Sequence, residues 1–161
     1  MNLKELGFDS YFEAQYNSNT DGKYELGRIA VEHKNIYRVY TEYGEVMAEI
    51  SGKMNYEAEG RADYPAVGDW VILQVLDQEE RAIIHGILPR KSKFSRNEAG
   101  DRNEEQIVAA NVDTIFIVNS LNSDFNLRRI ERYLTLVWDS GAKPVIVLNK
   151  SDLCDNSKID E

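Results

Sequence analysis

The stretch Pro144-Val145-Ile146-Val147-Leu148-Asn149-Lys150-Ser151-Asp152 decides the fold of this chain. Its first five residues are apolar and rich in β-branched side chains, the composition of a buried parallel strand, and open α/β sheets bind ligands beyond the carboxyl ends of such strands. The tetrapeptide that follows therefore falls where a nucleotide sits. Its residue types suit guanine: a carboxylate accepts the paired N–H groups of the Watson–Crick edge, an amide donates to the other edge, and a lysine stem covers the base. Adenine presents a different donor and acceptor pattern. Asn149, Lys150, Ser151 and Asp152 are accordingly the candidate base-binding residues. The competing reading is coincidence, since three fixed residues in four recur by chance in on the order of a few per cent of chains this long. Position on the first turn after the most strand-like segment argues for the functional reading.

Two elements that ordinarily accompany guanine recognition are missing from these residues. Gly22-Lys23 and Gly52-Lys53 both lack the earlier glycine of a Gly-x-x-x-x-Gly-Lys-Ser/Thr phosphate loop, because Asn17 and Met47 stand in its place. Nor does any Asp-x-x-Gly occur, so the Mg²⁺-linked element of a P-loop GTPase is absent. Either the tetrapeptide is a false lead, or the motifs are circularly permuted and the chain stops before the phosphate half.

At 161 residues with 42% hydrophobic and 29% charged content, the chain reads as a soluble globular protein of one large domain or two small ones. No stretch approaches the roughly 20 apolar residues of a membrane span, and Met1-Asn2-Leu3-Lys4-Glu5 opens no signal peptide, so a cytoplasmic location without membrane contact is expected. Cys154, with His33 and His85 distant in sequence, offers no metal-ligand spacing.

The net charge of −9 hides an uneven distribution. Residues 1–80 carry 7 Lys+Arg against 16 Asp+Glu, residues 81–102 carry 6 against 2, and residues 103–161 carry 6 against 10. Only the middle segment is basic. Arg90, Lys91, Lys93, Arg96 and Arg102, interrupted by Phe94, combine phosphate-neutralising cations with a ring able to stack, which makes them candidate RNA contacts. A solvated linker has the same composition, so charge alone leaves the two readings level.

Periodicity divides the chain into two blocks. Residues 24–32, 35–41, 44–50, 69–76 and 81–88 read as five short strands separated by turn-type residues, and Leu3 to Tyr16 ahead of them as a helix broken near Gly7 to Asp9. Five such strands suit a small barrel of the oligonucleotide-binding (OB) type and a plain β-meander alike. In the second block, Glu104 to Ala110 reads as a short helix, Val112 to Leu121 as a strand, Asn126 to Trp138 as a helix capped by Asn126, and Val145 to Leu148 as a strand. This is one β-α-β unit. Ile130, Tyr133, Leu134 and Val137 fall on one helical face as core. Two strands do not make a stable α/β sheet, so pairing between chains is expected of the exposed half-sheet.

The barrel followed by Gly68-Asp69-Trp70-Val71, Leu88-Pro89-Arg90-Lys91-Ser92, Gln106-Ile107-Val108-Ala109-Ala110-Asn111-Val112-Asp113, Asp124-Phe125-Asn126-Leu127-Arg128-Arg129-Ile130-Glu131-Arg132-Tyr133-Leu134 and Asn149-Lys150-Ser151-Asp152 closely resembles the ribosome small-subunit-dependent GTPase A family. The resemblance implies a five-stranded OB-type barrel followed by the first β-α-β part of a circularly permuted P-loop GTPase domain. Its divisions would be a helical segment 1–20, the barrel 21–89, a basic linker 90–102 and the partial GTPase domain 103–161.

It further implies a GTP-binding assembly factor that acts late in maturation of the 30S subunit, with 16S rRNA as partner. Mg and Zn would belong to a C-terminal part that this sequence lacks. Only base recognition carries over, Asn149 and Asp152 to guanine and Lys150 along the base or ribose, with no catalytic or metal-ligating residue in the chain. The 161 residues alone are expected to be inactive as a GTPase and to bind GTP or GDP poorly without a phosphate cradle. Two other classes remain open: a non-catalytic RNA- or ribosome-binding module, and an acidic domain that binds basic proteins.

Overall fold

The computed structural model describes residues 1–19, 24–76, 81–97 and 105–153. The chain forms two compact units, the first Met1–Asn111 and the second beginning at Val112.

The first unit is built on a closed barrel of β1 (Glu25–His33), β2 (Ile36–Thr41), β3 (Gly44–Ile50), β4 (Trp70–Leu76) and β5 (Arg81–Ile87) in the order β1-β2-β3-β5-β4. All neighbours are antiparallel except β3 with β5. This closure selects the OB-type barrel over the meander. The sequence dictates its sharp corners. His33 pairs with Ile36 across the two-residue turn Lys34-Asn35, whose φ angles of 50° and 66° match the twist of a hairpin turn. Ile29, Tyr37, Val39, Ala48, Val71, Leu73, Ala82 and Ile84 fill the interior.

A second cluster of Phe12, Leu26, Trp70 and Leu88 receives Leu3, Leu6 and Phe8. Phe8 meets Trp70 edge-on at 5.1 Å between ring centroids. Of the helix expected over Leu3 to Tyr16 with a break near Gly7 to Asp9, the part after the break is helical: α1 spans Ser10–Asn19, preceded by turns that pass through Gly7 at φ 90°. Beyond β3, α2 (Gly52–Glu57) is capped by Ser51, which accepts from Met54 N–H, and a 3-10 turn covers Arg61–Asp63.

The helix expected over residues 104–110 is instead a strand. β7 (Glu105–Ala110) pairs antiparallel with β6 (Lys93–Asn97), a strand in the segment expected as a linker. β-Branched Ile107 and Val108 suit the pleat, and sheet pairing overrides the helical reading of the flanking Glu and Ala residues. Ala110 N–H also donates to Val67 C=O at 2.8 Å. Gly68 permits this approach, because at φ 90° a Cβ there would stand 2.1 Å from the Ala110 carbonyl oxygen.

In the second unit, β8 (Thr114–Ser120) and β9 (Lys143–Asn149) run parallel and are joined by α3 (Leu127–Asp139). The Asn126 side chain accepts from Arg129 N–H at 3.0 Å, the expected cap. Ile130 and Val137 are buried, whereas Tyr133 and Leu134 of the same expected face are exposed and half-buried. Gly141 at φ 80° ends the helix ahead of β9. No helix among the described residues is long and apolar enough to cross a membrane.

Candidate guanine-recognition loop and basic segment

β9 delivers the tetrapeptide to the carboxyl end of the parallel pair. Asn149 is its last residue and pairs in register with Ser120, while Leu121 N–H donates to Asn149 C=O at 2.8 Å, fixing the start of the loop against the end of β8. The backbone then turns sharply. Lys150 adopts φ 58°, and its N–H donates to Asn149 Oδ1 at 2.8 Å. Ser151–Leu153 closes as a 3-10 turn through Leu153 N–H to Lys150 C=O.

This geometry leaves the side-chain chemistry open. All four residues are exposed, and neither the Asp152 carboxylate nor the Lys150 ammonium has an ion-pair partner among the described residues. With Asn149 Oδ1 engaged by the backbone, its amide NH₂ remains the donor. The turn therefore presents a carboxylate acceptor, an amide donor and an aliphatic cationic stem to solvent.

A network beside the end of β8 went unread in the sequence. Asn119 Oδ1 accepts from the Arg129 guanidinium at 3.1 Å, and Arg129 also reaches Asp124 Oδ2 at 3.2 Å. Asn122 Oδ1 accepts from Ser120 Oγ and Asp124 N–H, both at 3.0 Å. The Asp124-x-x-x-x-Arg129 spacing across a helix start was the available signal. These contacts order the loop that leads from β8 into α3.

The basic segment is largely engaged within the first unit. Arg90 donates through Nε and an Nη to Asp69 at 2.8 and 2.7 Å, and to the carbonyls of Ala62 and Tyr64. Asp69 is fully buried and also accepts from Ala66 N–H. Lys91 pairs with Asp9 and lies over the Phe12 ring at 4.9 Å. Lys93 pairs with Glu105 at 2.7 Å, with about half its side chain exposed. That ammonium first, then the Ser95 hydroxyl, holds the Glu105 carboxyl below its ordinary range. Arg96 lies in β6, while Arg102 and Cys154 lie outside the described residues. Among the described residues no three His, Cys, Asp or Glu come together as a metal site.

Comparison with known proteins agrees with this architecture. The family model for the RsgA GTPase matches residues 87–161. The chain is 54% identical over 129 residues to the Small ribosomal subunit biogenesis GTPase RsgA 2 of Lactiplantibacillus plantarum, covering 80% of this chain and 36% of that protein. It is 41% identical over 161 residues to the Small ribosomal subunit biogenesis GTPase RsgA of Opitutus terrae, covering 95% of this chain and 44% of that protein. The chain thus spans less than half the length of these curated relatives. Among solved structures, YjeQ from Thermotoga maritima shares the fold with a TM-score of 0.64 at 23% identity, over 85% of this chain and 45% of that one. YloQ, described as a circularly permuted GTPase, shares it with a TM-score of 0.61 at 22% identity, over 88% and 46%. The chain belongs to the RsgA GTPase family, and its fold is an OB-type barrel followed by a β-α-β part of a circularly permuted GTPase domain.

Proposed function

We propose that this chain supplies guanine recognition and the barrel to a GTP-hydrolysing factor that acts in late maturation of the small ribosomal subunit in the cytoplasm, with GTP or GDP and 16S rRNA as its partners. The observation that carries the reading is the turn after β9, where Asp152, Asn149 and Lys150 are presented together with their base-binding groups unengaged. The names of the relatives support the ribosomal part. The Asp152 carboxylate would accept from the guanine Watson–Crick edge, Asn149 would donate to its other edge, and Lys150 would pack along the base. Phosphate binding, Mg²⁺ and bond cleavage need groups beyond these, so these 161 residues alone turn over no GTP.

For RNA, Lys93 and Arg96 on β6, with Lys91 and Arg102, are the proposed phosphate contacts, and Arg90 contributes by holding the segment in place. Two-dimensional amide NMR of the chain titrated with GDP and ADP tests the base site. Shifts at residues 149–152 and Leu121 with GDP and not with ADP are expected. Equal response of these residues to ADP, or none to GDP, removes the guanine reading.

The pairing of Lys91 and Lys93 with acidic residues favours a second reading, an acidic domain that binds basic ribosomal proteins. Competition by such proteins without response to RNA would identify it.

A further inference from the structure

The first unit holds a cavity of about 390 Å³ between the β1–β2 turn, the segment from Arg61 to Val67 and β7. Tyr37, only 1% exposed and part of the barrel core, lines it, and no described residue hydrogen-bonds its hydroxyl. Burial, then the nearby Glu32 carboxylate, pushes this phenol up to about 12, so it is a proton donor throughout the physiological range. Glu32 and Lys34 are exposed lining residues, and Lys34 has no ion-pair partner among the described residues. Tyr64 adds a ring whose orientation is fixed by its hydroxyl donating to Asn55 Oδ1 at 3.1 Å.

Each alternative ligand class fails on one of these groups. An apolar ligand that displaced water from the cavity would leave the Tyr37 hydroxyl unpaired. A simple anion offers no donor to the Glu32 carboxylate, and among the described residues a metal ion finds no ligand set. A nucleotide of adenine, cytosine or guanine satisfies all of them. Its base offers acceptors and a flat face, its exocyclic amine a donor, and its phosphate a charge. The volume is at the small end of ligand sites and admits one unit, not a duplex.

We propose that this cavity binds a single unstacked nucleotide, with a base acceptor on the Tyr37 hydroxyl, an exocyclic amine on Glu32, the base against Tyr64 and the phosphate on Lys34. The nucleotide can come from single-stranded RNA or from a free mononucleotide. The RNA source rests on the ribosomal reading above, and the free source does not.

The test titrates the 161-residue chain with AMP, CMP, GMP and UMP, with single-stranded oligo(A), oligo(C) and oligo(U) of ten residues, and with a duplex RNA. NMR reports mononucleotides and fluorescence anisotropy reports RNA. Saturable binding of AMP, CMP or GMP, or of oligo(A) or oligo(C), with UMP and oligo(U) weaker, is the expected result, reduced about fivefold in both Tyr37→Phe and Lys34→Ala and unchanged in Arg38→Ala. Tyr37→Phe should keep its unfolding midpoint. Should it not fold, the exposed Lys34→Ala decides alone. Wild-type binding by Lys34→Ala, or equal binding of duplex, overturns the proposal. Response to GDP at residues 149–152 is read in the same samples. Its persistence when the cavity arms fail leaves the guanine reading standing, and its loss when they succeed does the reverse.

Discussion

Asp69 and Arg90 form a two-point ion pair, 2.8 and 2.7 Å long, in which the carboxylate is wholly buried and the guanidinium also reaches two backbone carbonyls. The pair links the entry of β4 to the segment that leads into β6. Arg90→Ala would strand a buried carboxylate, and a loss of about 3–5 kcal/mol is expected in urea unfolding. Arg90→Lys keeps the charge but not the fork and should lose a smaller part. A neutral Arg90→Ala would show that the pair with Asp69 does not hold this segment in place.

Gly68 sits where backbone meets backbone. With φ at 90° and a virtual Cβ 2.1 Å from the Ala110 carbonyl oxygen, Gly68→Ala combines left-handed strain with overlap that no rotamer relieves. A loss above about 2 kcal/mol, read as a lower thermal midpoint, is expected. Unchanged stability would mean that the β7 end moves away without cost.

The Lys93–Glu105 contact makes a prediction in acid. The folded carboxyl is held below its ordinary 4.5, so the stabilisation is present above that value and fades as pH falls through the depressed folded value. Lys93→Ala should raise the Glu105 titration midpoint toward 4.5 in carboxyl NMR. An unaltered midpoint would mean that Lys93 does not engage Glu105 in solution, leaving it available to phosphate.

Asp152→Asn replaces a double acceptor with an amide that also donates. Xanthine carries an oxygen where guanine carries its 2-amino group, so the variant should lose its response to GDP and gain one to xanthosine diphosphate. NMR titration with both nucleotides reads the exchange. Retained preference for GDP would place base recognition on other residues.

The barrel strands and the β-α-β unit were legible because their signals are local: alternation of Val, Ile and Tyr, turn dipeptides at Lys34-Asn35, and the cap at Asn126. The turn after β9 was legible for the same reason, as four adjacent residues after a strand. β7 was misread because Glu105, Gln106, Ala109 and Ala110 favour helix in isolation, and pairing with β6 is a tertiary fact. The role of Arg90 was hidden likewise, since its partner lies 21 residues away and charge composition cannot tell a buried pair from a solvated cation.

The second unit predicts an association state. Parallel partners share a face, so Phe116 with Val145 and Val118 with Val147 form one apolar surface, on the side opposite buried Ile117. Phe116 and Val118 are 64% and 62% exposed there, and among the described residues no further strand pairs with β8 or β9. Such a surface associates in water, through the face, the edge or both. Sedimentation of the 161-residue chain should show mass rising with concentration, and a Phe116→Lys, Val118→Lys double variant should remain monomeric with its barrel intact. A wild-type chain that stays monomeric at 100-fold dilution and at high concentration alike would exclude pairing between copies.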